Sequence, residues 1–482
     1  MNLSEFKKIK FGYASAEKEN AADQSLLAGG FLNFKNIAGA IKDGSEFLVL
    51  GDKGAGKTAV ATHLHLMAKE DPLLFVKRVS LADLPFSSFA NIVKGKDEPE
   101  TKYPTAWTWI FLLMLIDSLS SDEGMETDNA SEFHNFHKLL KNNGLAPSED
   151  IPAIVRKSSK KSFSLNLKGI FSYNEELPGD LDMASVPELV DSMKQLLSKC
   201  RTKSKHLIIF DGLDDILTKR NAQYDVLGAL IFECSRLNSW FNQTGLPTKI
   251  IVLCRVDLFQ KISGANKNKI RQNFSVELDW YQHPSDPGNS ILFDLLNHRA
   301  AQSLDEPHSI LKFLNDQPKV GPQEAKHYLL SYTRHRPRDI IVLLSTLQQK
   351  VISLPIGPTV FHSAARTFAQ NYFVGEISDE LYGFLDQQKI EATFEALSQM
   401  KLKEFTFSQA NAIFKEYLGD ETDVVAILKR LYECGAVGNG YTSPAGRKSY
   451  NFKFSHPHST FSSSHSIKVH NGLASALNLL VN

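Results

Sequence analysis

Gly51-Asp52-Lys53-Gly54-Ala55-Gly56-Lys57-Thr58 constrains this chain more than any other stretch: it is a complete G-x-x-x-x-G-K-T set directly behind the apolar run Phe47-Leu48-Val49-Leu50. Glycines at 51, 54 and 56 let the backbone curl with its N–H groups turned inward around an anion, a path that side chains would obstruct. In such a loop Asp52, Lys53 and Ala55 contribute backbone to the cradle, Lys57 reaches the terminal phosphates and Thr58 supplies a hydroxyl to Mg²⁺. The motif requires a strand before it and a helix after it. Glu46 to Leu50 reads as a buried strand, and Thr58 to Lys69 spaces Val60, Leu64 and Met67 along one helical face, with Ala59 in the first turn. The positive end of that helix dipole then lies beneath the phosphates. The expected ligand is a nucleoside triphosphate with Mg²⁺.

A second acidic block reinforces the reading. Leu207-Ile208-Ile209-Phe210-Asp211 is an apolar strand ending in a carboxylate, followed by Gly212-Leu213-Asp214-Asp215. Asp211, at the carboxyl end of a parallel strand, is expected to hold Mg²⁺ through water or through Thr58. Gly212 stands where many such ATPases carry a glutamate that orients the attacking water, so that role passes to Asp214 or Asp215; alternatively, both cap a helix starting near Ile216. Lys249 to Arg255 forms a third buried strand, and Arg255 at its end either senses the γ-phosphate, bridges to a neighbouring subunit, or makes a strand-end salt bridge. Phe274 to Leu278 is a fourth. Strands alternating with helices predict an α/β P-loop NTPase with a doubly wound parallel sheet. No N-K-x-D guanine motif is evident, since Lys267-Asn268-Lys269 lacks the aspartate, which favours ATP over GTP.

The chain has 482 residues, 42% of them hydrophobic, enough for two to four domains with true cores. Its 54 basic residues balance 54 acidic ones, which argues against a surface that grips nucleic acid throughout. Cys200, Cys234, Cys254 and Cys434 form no C-x-x-C pair, so neither a disulfide framework nor a zinc site is expected, in keeping with a cytoplasmic protein. The amino terminus lacks the apolar stretch of a secretory signal. The most apolar run, Trp107 to Ile116, is about half the length a bilayer requires, and Pro104 fits a first helical turn, so a buried core helix is expected and no membrane span.

The predicted organisation is an NTPase core at 1–289 with an inserted region at 85–200, a helical lid at 290–375 and a winged-helix domain at 376–482. Phe11 and Tyr13, ahead of the loop, either stack on the adenine or serve a core. Arg156, Lys157, Lys160 and Lys161 make a basic cluster in the insertion, read as a solvated loop or as a phosphate contact. Arg334-His335-Arg336-Pro337-Arg338-Asp339 opens a helix, Ile340 to Lys350, and its arginines work against the helix dipole unless an anion is near; Arg338 or Arg336 is thus a candidate second sensor, with a surface Arg–Asp pair as the other reading. Helices at 376–400, 408–418 and 422–434 precede strands within 436–454 and 459–469, the order of a winged helix. Lys429, Arg430, Arg447, Lys448 and Lys453 would meet DNA phosphates there, although the third helix lacks a base-reading set of Arg, Asn and Gln.

With these motifs placed, the chain resembles the signal-transduction ATPases called STAND and the origin-recognition type of AAA+ ATPases. Asp211-Gly212-Leu213-Asp214-Asp215 is similar to the D-G-L-D-E of NACHT-type members, with aspartate at the last position. The resemblance implies an NTPase, lid and winged helix in this order, Arg255 as a strand-end arginine and Arg336-Pro337-Arg338 as a lid contact to nucleotide. It implies an ATP-dependent switch in bacterial signalling or defence against phage, acting through self-assembly or a protein partner. The alternatives are a DNA-associated loader or remodeller and a nucleotide-binding scaffold without turnover. No repeat array follows the tail.

Overall fold

The computed structural model describes all residues except 83, 95–98, 147–150, 161–162, 168–183, 214–220, 265, 283–287, 307, 383, 445 and 481–482. The chain divides into two compact units, Asn33–Leu278 and Met1–Leu32 together with Asp279–Asn482.

The first unit is built on a five-stranded sheet of β1 (Leu48–Leu50), β2 (Leu74–Ser80), β3 (Lys205–Asp211), β4 (Thr248–Cys254) and β5 (Ser275–Glu277) in the order β2-β3-β4-β1-β5. All pairings are parallel. The parallel α/β sheet expected from the motifs is therefore present. Strands β1, β3 and β4 are buried on both faces, which is why they read as uninterrupted apolar runs. Strand β2 lies at the sheet edge, only partly buried, and carries Lys77 and Arg78, so its sequence shows no such run.

Helix α1 (Lys57–Glu70) follows the glycine-rich loop. The apolar run forms the middle of α2 (Pro99–Ser120), which packs against α3 (Val186–Ser198) and α4 (Asn221–Thr244). Trp107 and Trp109 are wholly buried, and each indole finds a partner: Trp107 Nε1 donates to the Val226 carbonyl at 2.9 Å and Trp109 Nε1 to Ser158 Oγ at 3.0 Å. Pro104 sits inside α2 rather than at its first turn. Among the described residues no helix is long and apolar enough to cross a membrane.

The second unit contains α5 (Pro337–Lys350) and α6 (Pro358–Phe368), which runs through a π-helical turn into α7 (Val374–Leu381). The single helix predicted for 376–400 is two, because the chain breaks after α7 and restarts as α8 (Gln387–Gln399), where the Asp386 side chain accepts from the Lys389 backbone at 2.9 Å. Helices α9 (Phe407–Leu418) and α10 (Val424–Glu433) follow. A four-stranded sheet of β6 (Glu404–Phe405), β7 (Val437–Thr442), β8 (Lys448–Asn451) and β9 (Ser466–Val469), ordered β8-β7-β9-β6 and antiparallel throughout, closes the unit. The amino-terminal segment belongs here: Arg299 donates to the Phe11 carbonyl at 2.7 Å and pairs with the buried Glu19 carboxylate at 2.8 Å.

Trp107 tests the core of the first unit. Trp107→Ala removes a wholly buried indole and leaves the Val226 carbonyl without its partner, so unfolding free energy should fall by about 3–5 kcal/mol. Chemical denaturation of the variant against the parent measures this, and a loss under about 1 kcal/mol would contradict the packing described.

Candidate nucleotide site

The parallel register decides what meets at the carboxyl edge of the first sheet. Leu50 lies opposite both Cys254 and Glu277, while Ser80 lies opposite Asp211. The residues that follow, Gly51 from β1 and Arg255 from β4, emerge beside the Asp211 end of β3, at the edge where open α/β sheets bind ligands. Gly51 N donates to the Cys254 carbonyl at 3.3 Å, tying the loop entrance to β4.

The loop then turns through Ala55 N donating to the Asp52 carbonyl at 3.1 Å and reaches Gly56, whose φ of 101° lies in the left-handed region that side chains resist. Gly56 is the N-cap of α1 and has no capping side chain, so that helix start presents N–H groups and its positive dipole end at the loop. Lys57 folds back across the loop, its ammonium donating to the Gly51 and Asp52 carbonyls at 3.2 and 3.1 Å, with the side chain buried. Thr58 Oγ1 donates to Asp211 Oδ2 at 2.9 Å. The structure thus brings together Gly51 to Thr58 and Asp211, as the motifs predict.

The Thr58 hydroxyl and Asp211 carboxylate fit Mg²⁺. The ion prefers hard oxygen donors, takes one or two from protein and fills its remaining positions with phosphate and water. Asp211 Oδ1 accepts the Gly212 N–H at 2.7 Å, which fixes the carboxylate plane. Behind Thr58 stands a support that the sequence did not disclose: Thr62 Oγ1 donates to the Thr58 carbonyl at 2.8 Å, and Arg78 Nη1 donates to Thr62 Oγ1 at 2.8 Å. Arg78 arrives from β2, an element with no clear apolar signal.

Gly212 explains the missing glutamate. Its φ is +85°, and a Cβ there would stand 3.0 Å from Ala82 N and 3.1 Å from Ser80 Oγ. A side chain there would be strained and tightly confined. Asp214 and Asp215 lie outside the described residues. Arg255 is nearly buried and grips Asp257 with two parallel bonds of 2.9 Å, from Nε to Oδ1 and Nη2 to Oδ2. The strand-end ion pair that the sequence offered as one reading is present.

The remaining candidates belong to the second unit. Phe11 is buried, its ring edge-on to Phe6 at 6.0 Å. At the start of α5, carboxylates supply the anions the arginines call for: Arg334 bonds Asp339 Oδ2 at 3.2 Å and Glu380 Oε1 at 2.7 Å, Arg336 reaches Glu380 Oε1 at 3.0 Å, and Arg338 stands 3.4 Å from Glu376 Oε2. Burial works against the Asp339 charge, yet Arg334 and Arg336 hold its carboxyl below the usual range. One tail residue is corrected: Arg430 does not face solvent, because its position on α10 turns it inward, where Nη2 donates to the Glu380 carbonyl at 2.7 Å. Lys429, Arg447 and Lys448 are exposed.

No protein-family model matches the chain. A relative described as "Putative transposon gamma-delta 80.3 kDa protein", from Escherichia coli strain K12, is 22% identical over 346 residues, covering 70% of this chain and 46% of its own length. The chain thus spans about half of that relative. Similar solved structures include the Aeropyrum pernix ORC1 protein in complex with DNA, at 14% identity, 95% and 92% coverage of the two chains and a TM-score of 0.36. Another is Cdc6p from Pyrobaculum aerophilum, at 12% identity, 95% and 98% coverage and a TM-score of 0.32. Drosophila ORC bound to DNA scores 0.23 at 14% identity and 92% coverage of each chain. At these scores the likenesses carry no argument, and the reading rests on the chain's own geometry.

The Gly212 backbone gives a direct check. Gly212→Ala forces a Cβ against Ala82 N in a left-handed conformation, so stability should drop by about 1–3 kcal/mol. Guanidinium denaturation reads the loss, and an alanine variant as stable as the parent would refute the conformation.

Proposed function

We propose that this chain binds Mg·ATP at Gly51 to Thr58, hydrolyses it slowly, and uses the nucleotide state to control self-assembly or the engagement of a protein partner. The observation that supports this most is the 2.9 Å bond between Thr58 and Asp211, two metal-holding oxygens brought from separate elements to one point beside the phosphate loop. Lys57 now spends its ammonium on two backbone carbonyls; the terminal phosphates would replace those carbonyls, at little cost because the side chain is already buried and ordered. Mg²⁺ held by Thr58 and Asp211 would neutralise charge on the β- and γ-oxygens.

What the chain's own residues contribute is positioning. The helix α1 amino terminus and loop amides hold phosphate, and Asp211 keeps its orientation through Gly212 N. With glycine after Asp211, the water would be oriented by a residue further along, and Asp214 or Asp215 is our candidate. A shorter carboxylate placed further along suits a slow switch better than a motor. Arg255 would act on the γ-phosphate by exchanging Asp257 for it, Arg338 would do so from α5 by leaving Glu376, and Phe11 would line the adenine side. The resemblance to STAND ATPases suggests a cytoplasmic signalling or antiphage setting, with an NTPase, a lid and a winged helix as the working parts.

A second reading, a DNA-associated ATPase, is favoured by the exposed Lys429, Arg447 and Lys448 on the tail module and by the printed name of the Escherichia coli relative. One experiment separates the two: steady-state ATP hydrolysis with and without duplex DNA, while particle mass is followed. Lys57→Ala should lose nucleotide binding, and Asp211→Asn should bind ATP but turn over on the order of a hundredfold more slowly. Turnover that ignores DNA while ATP changes particle mass supports the switch; DNA-stimulated turnover that falls with Lys429→Ala and Arg447→Ala supports the second reading. Undiminished hydrolysis in Lys57→Ala would sink both.

A further inference from the structure

The second unit contains a cavity of about 240 Å³ that neither the loop nor the arginine cluster explains. Its lining includes Tyr450, Phe452, Phe454, His335, Lys468 and Asn471, all from this one unit. An apolar cavity of roughly 150 Å³ suffices for benzene, so this one has room for a larger ring system. Phe452 and Phe454 are stacked with centroids 5.3 Å apart and planes 19° apart, and the stack continues from Phe454 to His335 at 5.8 Å and 28°.

His335 lines this cavity, 9% exposed, with Tyr281 set edge-on to its ring at 4.7 Å, and among the described residues its ring nitrogens make no hydrogen bond. Its neighbour His470 shows how the fold treats a buried imidazole it means to keep: Nδ1 accepts from Gly472 N and Nε2 donates to the Thr333 carbonyl, both at 3.1 Å. Burial pushes His335 down to about 4, so near neutral pH its ring offers one donor and one acceptor. Its backbone is also held at φ 52°, a left-handed conformation uncommon for a non-glycine residue.

Charge supplies an independent pointer. Lys468 is half-buried with its ammonium 3.5 Å from the Tyr450 ring centroid, and burial lowers its proton affinity. Lys403 is pushed down to about 8 by burial and by Lys468, and it donates to Asn471 Oδ1, whose Nδ2 donates to Ser331 Oγ at 2.8 Å. The acid facing Lys468 is Glu404, already shared by Lys448 at 3.2 Å, Tyr450 at 3.0 Å and Ser466 at 2.8 Å. Two half-buried lysines with one shared carboxylate leave an excess of positive charge that an anion would relieve.

From the ring-lined cavity, the unbonded His335 and the lysine pair we infer that this is a binding site for a planar heteroaromatic ligand carrying negative charge, the chemistry of a nucleoside phosphate. The base would lie among Phe452, Phe454 and His335, with the phosphate at Lys468. That chemistry has two sources, a free mononucleotide or one nucleotide of a single strand. The inference does not depend on ATP binding at Gly51 to Thr58.

The test uses the full-length chain carrying Lys57→Ala and equilibrium dialysis of labelled AMP, GMP, CMP and UMP, with labelled short single-stranded DNA as a second arm. We expect saturable binding in one arm, weakened at least about tenfold by His335→Asn, a residue that tolerates left-handed backbone, and by Lys468→Met, with thermal midpoints unchanged. Mononucleotide binding identifies the free nucleotide as the source, and binding confined to the oligonucleotide identifies the strand. The absence of saturable binding in both arms, or binding that both variants leave intact, overturns the inference.

Discussion

The parallel hydrogen-bond ladder that sets β4 between β1 and β3 is the constraint on which the candidate nucleotide site depends. Parallel pairing brings the carboxyl ends of the strands to one edge, and the pairs Leu50–Cys254 and Phe210–Val252 put Gly51, Arg255 and Asp211 at similar heights along it. Asp211 and Thr58, separated by 153 residues, meet at 2.9 Å only because of that register. A slip of one residue in β3 would turn Asp211 to the opposite face of the sheet. The apolar runs that bury β1, β3 and β4 on both faces therefore secure the site as well as the fold.

Much of this was legible in the sequence, for physical reasons. A strand buried on both faces must be apolar throughout, so Phe47 to Leu50, Leu207 to Phe210 and Lys249 to Cys254 announce themselves, and the loop's glycines and Lys57-Thr58 fix the chemistry between them. What was not legible lies where burial is partial or a contact is long-range. Strand β2 is a partly exposed edge interrupted by Lys77 and Arg78, so neither it nor the Arg78–Thr62–Thr58 support could be read. The break between α7 and α8 was missed because helical spacing resumes almost at once beyond it. Arg430 was misjudged because residue type alone does not tell an exposed arginine from one that caps a neighbouring carbonyl.

Gly212 shows how backbone geometry limits chemistry. The residue after the metal-holding aspartate is the natural place for a carboxylate that orients water. Here the chain leaves β3 in a left-handed conformation, pressed against the amide groups of residues 81 and 82. Leu81 N also donates to the Asp211 carbonyl at 2.8 Å, so the two chains are stapled at this point. The same turn that orients the Asp211 carboxylate also crowds the position beside it.

The arginines at the start of α5 and the loop lysine are held by different kinds of partner. Arg334, Arg336 and Arg338 are met by Asp339, Glu376 and Glu380 within their own unit, an arrangement that pins α5 to α7 and leaves their charge largely answered. Breaking such a buried network costs several kcal/mol, roughly 3–5 for a buried pair, so it favours one fixed state. Lys57, in the other unit, donates to the Gly51 and Asp52 carbonyls. An anion brought to the arginines must first displace the carboxylates that already answer them, so the cluster is a poor first anchor for a phosphate.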